Sequence, residues 1–135
     1  MTVINAEDCV AGRLASFVAK RLLNGEEIVI VNAERAIING NPKAIEKLFR
    51  EKIERGDPYH GPFYPKRSDT ILRRMVRGML PYKKPTGRNA YKRLKVYRSV
   101  PDEVSGQTPE TINKAKGKFE CKYVYLDDIT KKISG

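Results

Sequence analysis

The run EIVIVNA, residues 27–33, constrains the fold more than any other stretch of the chain. It is apolar and β-branched without alternation, so a strand made from it needs cover on both faces, as in a parallel sheet flanked by helices. The surrounding segments supply the other elements. TVIN, residues 2–5, suits a short strand. After the turn-like AEDC, the apolar residues Leu14, Phe17, Val18 and Leu22 recur at helical spacing and predict a helix over 11–23, stopped by Asn24-Gly25. AIING, residues 36–40, is a candidate third strand. Asn41 then caps a second helix with Pro42 at its first position and Ile45, Leu48, Phe49 and Ile53 on one face, ending at Gly56-Asp57-Pro58. This order predicts an α/β fold with a small, mostly parallel sheet.

The second half reads differently. DPYHGPFYPK, residues 57–66, holds three prolines and one glycine and predicts a structured loop. A helix over 69–80 follows, capped by Ser68 or Asp69 and stopped at Pro81. On a helical wheel Ile71, Leu72, Met75, Val76, Met79 and Leu80 occupy one half, and Arg73, Arg74 and Arg77 the other. YKKPTG leads to a shorter helical piece around 89–94, LKVYRSV over 94–100 suits a strand, and 101–118 reads as an extended or loosely ordered excursion. KYVYLDDI, residues 122–129, predicts a return strand with a short tail. A chain of 135 residues is one domain in size. It divides into a scaffold half over 1–56, a basic segment over 57–98 and a C-terminal portion over 99–135.

The net charge is confined to the middle segment. Twelve of the 27 lysines and arginines, and one of the 16 acidic residues (Asp69), lie between Pro58 and Arg98. That window carries the whole net charge of +11, because fifteen residues of each sign remain outside it. A solvated face normally mixes signs, so this imbalance points to a polyanionic partner. Flat side chains are interleaved with the charge: Tyr59, His60, Phe63 and Tyr64 before the helix, and Tyr82, Tyr91 and Tyr97 after it. Arginine forks grip phosphate, and aromatic planes either stack on unpaired bases or pack locally, so folded RNA fits the mixture.

Other chemistries lack their residues. Cys9 and Cys121 are far apart with no accompanying ligand cluster, which predicts two buried thiols and no metal. His60 has no matched nucleophile and acid, leaving it a hydrogen-bonding or stacking role. AEDCVAGRLAS joins a strand to a helix where α/β folds bind phosphate, but neither GxGxxG nor a P-loop is present. Gly12 is expected to ease a helix-to-sheet contact instead. Glu7-Asp8 and Asp127-Asp128 are expected to serve solvation or capping. No cofactor, small-molecule substrate or homo-oligomer is expected. A membrane reading would need the apolar half of the 69–80 helix that the core also needs, and MTVINAEDC has no signal-peptide character, so a cytosolic location is expected.

GPFYPKRSDTILRRMVRGMLPYKKPTGRNAYKRLKVY, residues 61–97, resembles the core of the large-subunit ribosomal protein L-thirteen family. The likeness rests on RGMLP at 77–81, the Gly87-Arg88 step and RLKVY at 93–97. AGRLAS at 11–16 and IVIVNAE at 28–34 add to it in order and spacing. The compact GPF loop and the short link after Gly40 look more like its archaeal and eukaryotic branch. The resemblance implies a three-layer α/β/α fold with a basic loop-helix extension, a surface held against large-subunit rRNA beside neighbouring ribosomal proteins, and no catalysis. It carries Arg77, Gly78, Met79, Leu80, Pro81, Arg88, Arg93, Lys95 and Tyr97 over by position, with Gly78, Pro81 and Gly87 shaping the backbone. Together with the charge map, it gives Lys66, Arg67, Arg73, Arg74, Arg77, Lys83, Lys84, Arg88, Lys92, Arg93, Lys95, His60 and Tyr82 as candidate RNA contacts. A free regulatory RNA-binding module and a nucleotide-utilising α/β enzyme are the alternatives.

Overall fold

The computed structural model describes residues 2–54, 67–102, 106, 109–112, 115–116 and 122–134. The predicted loop over 57–66 with His60 and Lys66, Cys121, and much of the excursion over 101–118 lie outside the described residues.

Strand β2 (Ile28–Val31) lies inside a four-stranded sheet ordered β4-β2-β1-β5, with β1 (Thr2–Asn5), β4 (Leu94–Val96) and β5 (Glu110–Thr111). All three pairings are parallel. Its four residues are all buried, which is why the run shows no alternation. Ile4, Ile28, Ile30 and Leu94 share one core with Leu14, Val18 and Leu22 of helix α1 (Ala11–Leu23) and with Ile71, Leu72 and Val76 of helix α3 (Ser68–Gly78). Each such side chain contributes about 1.5–3 kcal/mol when fully buried, so this packing fixes α3 against the sheet. Val3, Val29 and Val31 form a smaller cluster with Tyr97.

Strand β3 (Ile37–Asn39) leaves this sheet and pairs antiparallel with β6 (Tyr123–Tyr125). Helix α5 (Leu126–Ser134) follows at once and packs on α2 (Pro42–Glu54). Asn41 caps α2 as expected, its Oδ1 accepting from the Lys43 N–H at 2.9 Å.

Several local expectations need correction. The return strand over 122–129 is three residues long before α5 takes over, with Asp127 and Asp128 in the helix's first turn where its dipole favours them. The excursion supplies β5, a sheet strand. The strand predicted over 94–100 ends at Val96, and Ser99 turns the chain at φ 57°. Helix α4 (Pro85–Lys92) begins earlier than predicted because Pro85 opens it. At α3 the cap is Arg67 rather than Ser68 or Asp69, and the helix ends at Gly78. Its last turn tightens as Met79 N–H and Leu80 N–H donate to the carbonyls of Val76 and Arg77. Met79 and Leu48, placed on apolar faces by periodicity, are 46% and 47% exposed. An added Cβ at Gly12 would meet nothing within 4 Å, so that glycine eases no close contact.

Candidate nucleic-acid interface

Helix α3 buries Ile71, Leu72 and Val76 and leaves Arg73, Arg74 and Arg77 half-buried along its flank. Two of these guanidinium groups are held by rings. Arg73 lies 4.3 Å from the ring centroid of Tyr91, and Arg77 lies 4.1 Å from that of Tyr82. The rings meet edge to face, with centroids 5.6 Å apart. The result is a ladder, Arg77-Tyr82-Tyr91-Arg73, in which cation–π and aromatic contacts hold two positive charges at fixed positions. Tyr82, a candidate contact by sequence, thus has an arginine over its ring. Tyr91 carries an equal part of the ladder, and no local spacing pairs it with Arg73.

The chain between α3 and α4 turns sharply. Pro81 cannot continue the helix, and the Lys84 N–H donates to the Pro81 carbonyl at 2.9 Å. Gly87, buried in α4, packs against that turn, and a Cβ there would lie 2.0 Å from the Pro81 oxygen. Gly78 has open space around its Cα, so nothing there requires glycine. The turn closes a groove of about 520 Å³ whose lining, among the described residues, includes Arg74, Arg77, Pro81, Tyr82, Lys83 and Lys84 and no acid. Arg88 and Lys92 are exposed on α4.

The basic residues here differ from those elsewhere in their partners. Arg21 pairs with Glu26 and Glu110, Arg35 with Glu7, and Arg50 with Glu46. The Glu26 contact raises the Arg21 pKa, and Arg21 in turn holds the Glu26 carboxyl below its usual range. Among the described residues, Arg73, Arg74, Arg77, Lys83, Lys84, Arg88, Lys92 and Lys95 make no ion pair, whereas Arg67 reaches Asp69 at 3.3 Å. Arg93 stands apart. Its Nη2 donates to the Leu22 carbonyl at 2.7 Å, so this guanidinium closes the C-terminal end of α1. Lys95, exposed on β4, shares a second groove with Asp69, Arg73 and Tyr97.

The strand-to-helix junction considered for nucleotide binding is already occupied by the protein. The N–H groups of Asp8, Cys9 and Val10 donate to the carbonyls of Arg35, Ala6 and Ala115. Glu7 pairs with Arg35, and Asp8 accepts from the Tyr125 hydroxyl at 3.1 Å. Cys9 is a buried thiol, and burial pushes its pKa up. Among the described residues no His, Cys, Asp or Glu cluster could hold a metal, and no helix is long and apolar enough to cross a membrane.

The fold and this flank define a small α/β protein that displays basic residues without acidic partners on its α3-turn-α4 segment. The chain belongs to the family described as Ribosomal protein L13, whose model matches residues 1–103. It is similar to the large ribosomal subunit protein uL13 of Methanosarcina barkeri, at 49% identity over 136 residues, covering 98% of this chain and 97% of the relative. The protein of the same name from Methanopyrus kandleri is 53% identical over 116 residues, covering 84% and 73%. That of Methanocaldococcus jannaschii is 47% identical over 137 residues, covering 98% and 97%. These archaeal relatives agree with the branch suggested by the GPF loop and the link after Gly40.

Proposed function

We propose that this chain is a non-enzymatic structural constituent of the large ribosomal subunit, in the cytoplasm. It binds and stabilises folded large-subunit rRNA through the α3-turn-α4 flank and supports assembly beside neighbouring ribosomal proteins. The observation that carries this reading is the contrast between Arg21, Arg35 and Arg50 on the scaffold, each neutralised by a carboxylate, and Arg73 and Arg77 on the flank, each held by a ring and without an acid among the described residues. A polyanion would neutralise them. The contacts proposed are Arg73, Arg74, Arg77, Lys83, Lys84, Arg88, Lys92 and Lys95, with Arg67 at the margin.

If about eight of these neutralise phosphates, log affinity for rRNA falls against log salt with a slope of roughly −7, using the duplex coefficient. Filter binding of the full chain to transcribed large-subunit rRNA measures it. The triple substitution Arg73→Glu, Arg77→Glu, Lys84→Glu should abolish binding while the loss of two ring contacts, roughly 1 kcal/mol each, lowers the melting temperature by no more than about 7 °C. Sedimentation of a cell extract through sucrose should place the chain with the large subunit at moderate salt. Binding that survives the triple change, or a chain that stays at the top of the gradient, overturns the reading.

A further inference from the structure

Resting on that RNA-binding reading, we propose that the RNA surface does not end at α4 but continues onto the exposed face of α1. There Arg13 and Lys20 hold the phosphates of a further stretch of the bound RNA. Helices α2, α3 and α5 each carry acidic residues, whereas α1 and α4 carry none. On α1 the buried residues Ala11, Leu14, Ala15, Val18, Ala19 and Leu22 form one face, and Arg13, Ser16 and Lys20 are exposed on the opposite one. The residues three and four positions from these two cations are Cys9, Val10, Ser16, Phe17, Leu23 and Asn24, so no acid lies within helical reach of either. Neither makes an ion pair among the described residues. A solvated helix face is built differently: on α2, Lys43 and Lys47 each have a glutamate three or four positions on.

Packing makes this face continuous with the flank. α4 touches both neighbours: its Tyr91 ring lies under Arg73 of α3, and Arg93, the residue after it, donates to the Leu22 carbonyl at the end of α1. Arg88 and Lys92 are exposed on α4, so cations run from α3 across α4 to α1. The other exposed polar residues of α4 and α1 are Thr86, Asn89 and Ser16. All three are uncharged and suit phosphate and 2′-hydroxyl contacts. Seven residues of helix separate Arg13 from Lys20, a rise of about 10 Å, so the pair engages two phosphates rather than one. Cations spaced along a helix crest hold the backbone and leave base sequence unread. An acidic polypeptide would meet the same charges, but the continuity with the flank favours the RNA already bound there.

Filter binding of the full chain to transcribed large-subunit rRNA tests this with the double substitution Arg13→Gln, Lys20→Gln, which removes charge and keeps helix propensity. The salt slope should become shallower by about 2 and affinity should fall about ten-fold or more, with the melting temperature unchanged. Lys43→Gln, Lys47→Gln on α2 should leave slope and affinity as they are. An unchanged slope in the α1 variant overturns the proposal, as does an equal loss in the α2 variant, which would reduce the effect to net charge. If the α1 variant melts early, a photocrosslinker decides with both cations in place. Ser16→p-benzoylphenylalanine should crosslink to rRNA in large subunits recovered from a sucrose gradient. Crosslinks to protein alone assign the face to an acidic polypeptide and overturn the proposal. So does an absence of crosslinks where Met79→p-benzoylphenylalanine, on the flank, gives them. Failure of the RNA-binding reading itself would appear separately, as wild-type protein that does not bind rRNA.

Discussion

Replacing Gly87 by alanine adds one carbon where there is no room for it. The new Cβ would stand 2.0 Å from the Pro81 oxygen, 2.3 Å from the Pro81 carbonyl carbon and 2.9 Å from the Tyr82 nitrogen. All three are backbone atoms, which cannot swing aside as a flexible side chain would. Ordinary contact begins near 3.4 Å, so the turn has to retreat by about 1.4 Å, enough to break the 2.9 Å hydrogen bond from Lys84 N–H to the Pro81 carbonyl. Overpacking of this kind costs about 1–3 kcal/mol and the lost hydrogen bond about 1, giving roughly 2–4 kcal/mol. An unfolding entropy of about 2.1 cal/mol/K per residue makes each kcal/mol worth about 3.5 °C in a chain of this size, so the melting temperature should fall by roughly 7–14 °C. Gly78→Ala is the matched control, because the same atom there meets nothing within 4 Å. It should leave the melting temperature unchanged or raise it by up to about 3 °C, since alanine is the better helix former. Thermal melts by circular dichroism measure both. A Gly87→Ala protein melting within 2 °C of its parent, or a Gly78→Ala protein falling as far as Gly87→Ala, would refute the steric reasoning.

Tyr91→Leu removes the ring under Arg73 without removing a charge; rRNA affinity should drop about five-fold for a contact worth roughly 1 kcal/mol, with the salt slope unchanged and Tyr91→Phe restoring most of the loss. A flatter slope in Tyr91→Leu would count against this positioning role. Arg93→Met, which keeps the apolar stem, should cost about 1–2 kcal/mol of stability measured by denaturant melts and leave the salt slope alone. A slope reduced by about 1 would show that Arg93 contacts phosphate after all. The Glu26 carboxyl sits below its ordinary 4.5 in the folded chain because Arg21 holds its charged form. Its contribution is therefore present above that value and disappears as pH falls through the lowered one. The gap in melting temperature between wild type and Glu26→Gln should be open at neutral pH and close in acid; a gap constant over that range contradicts the assignment.

Sequence was most informative where structure is decided by neighbours along the chain. The unalternating β2 run, the Asn41-Pro42 start of α2 and the apolar spacing of α1 all depend on local periodicity or capping. Pairings distant in sequence left no such trace. Glu110 and Thr111 look like turn residues yet form β5, and the antiparallel match of Ile37–Asn39 with Tyr123–Tyr125 joins segments with no shared motif. Periodicity also reports which side of a helix is apolar without reporting where the core ends, so Leu48 and Met79 were placed inwards but lie exposed. At the site, the charge window was visible as composition. What each cation touches was not: Arg93 closes α1, while Arg73 and Arg77 rest on tyrosines from later in the chain. The requirement for Gly87 entered through family resemblance, and packing supplies its cause.

The sheet order has a consequence for synthesis on the ribosome. β1 is made first and finds β2 within a few dozen residues, but its other edge is filled only by β5, at Glu110 and Thr111. At about 5–20 residues per second, that edge waits roughly 5–20 seconds, and the β3 edge closed by β6 waits about as long. During that interval the nascent chain presents open strand edges beside a basic flank, the combination most exposed to wrong pairing and to stray polyanions. A product cut short before residue 110 would keep the α1-β2-α3-β4 body and never close either edge.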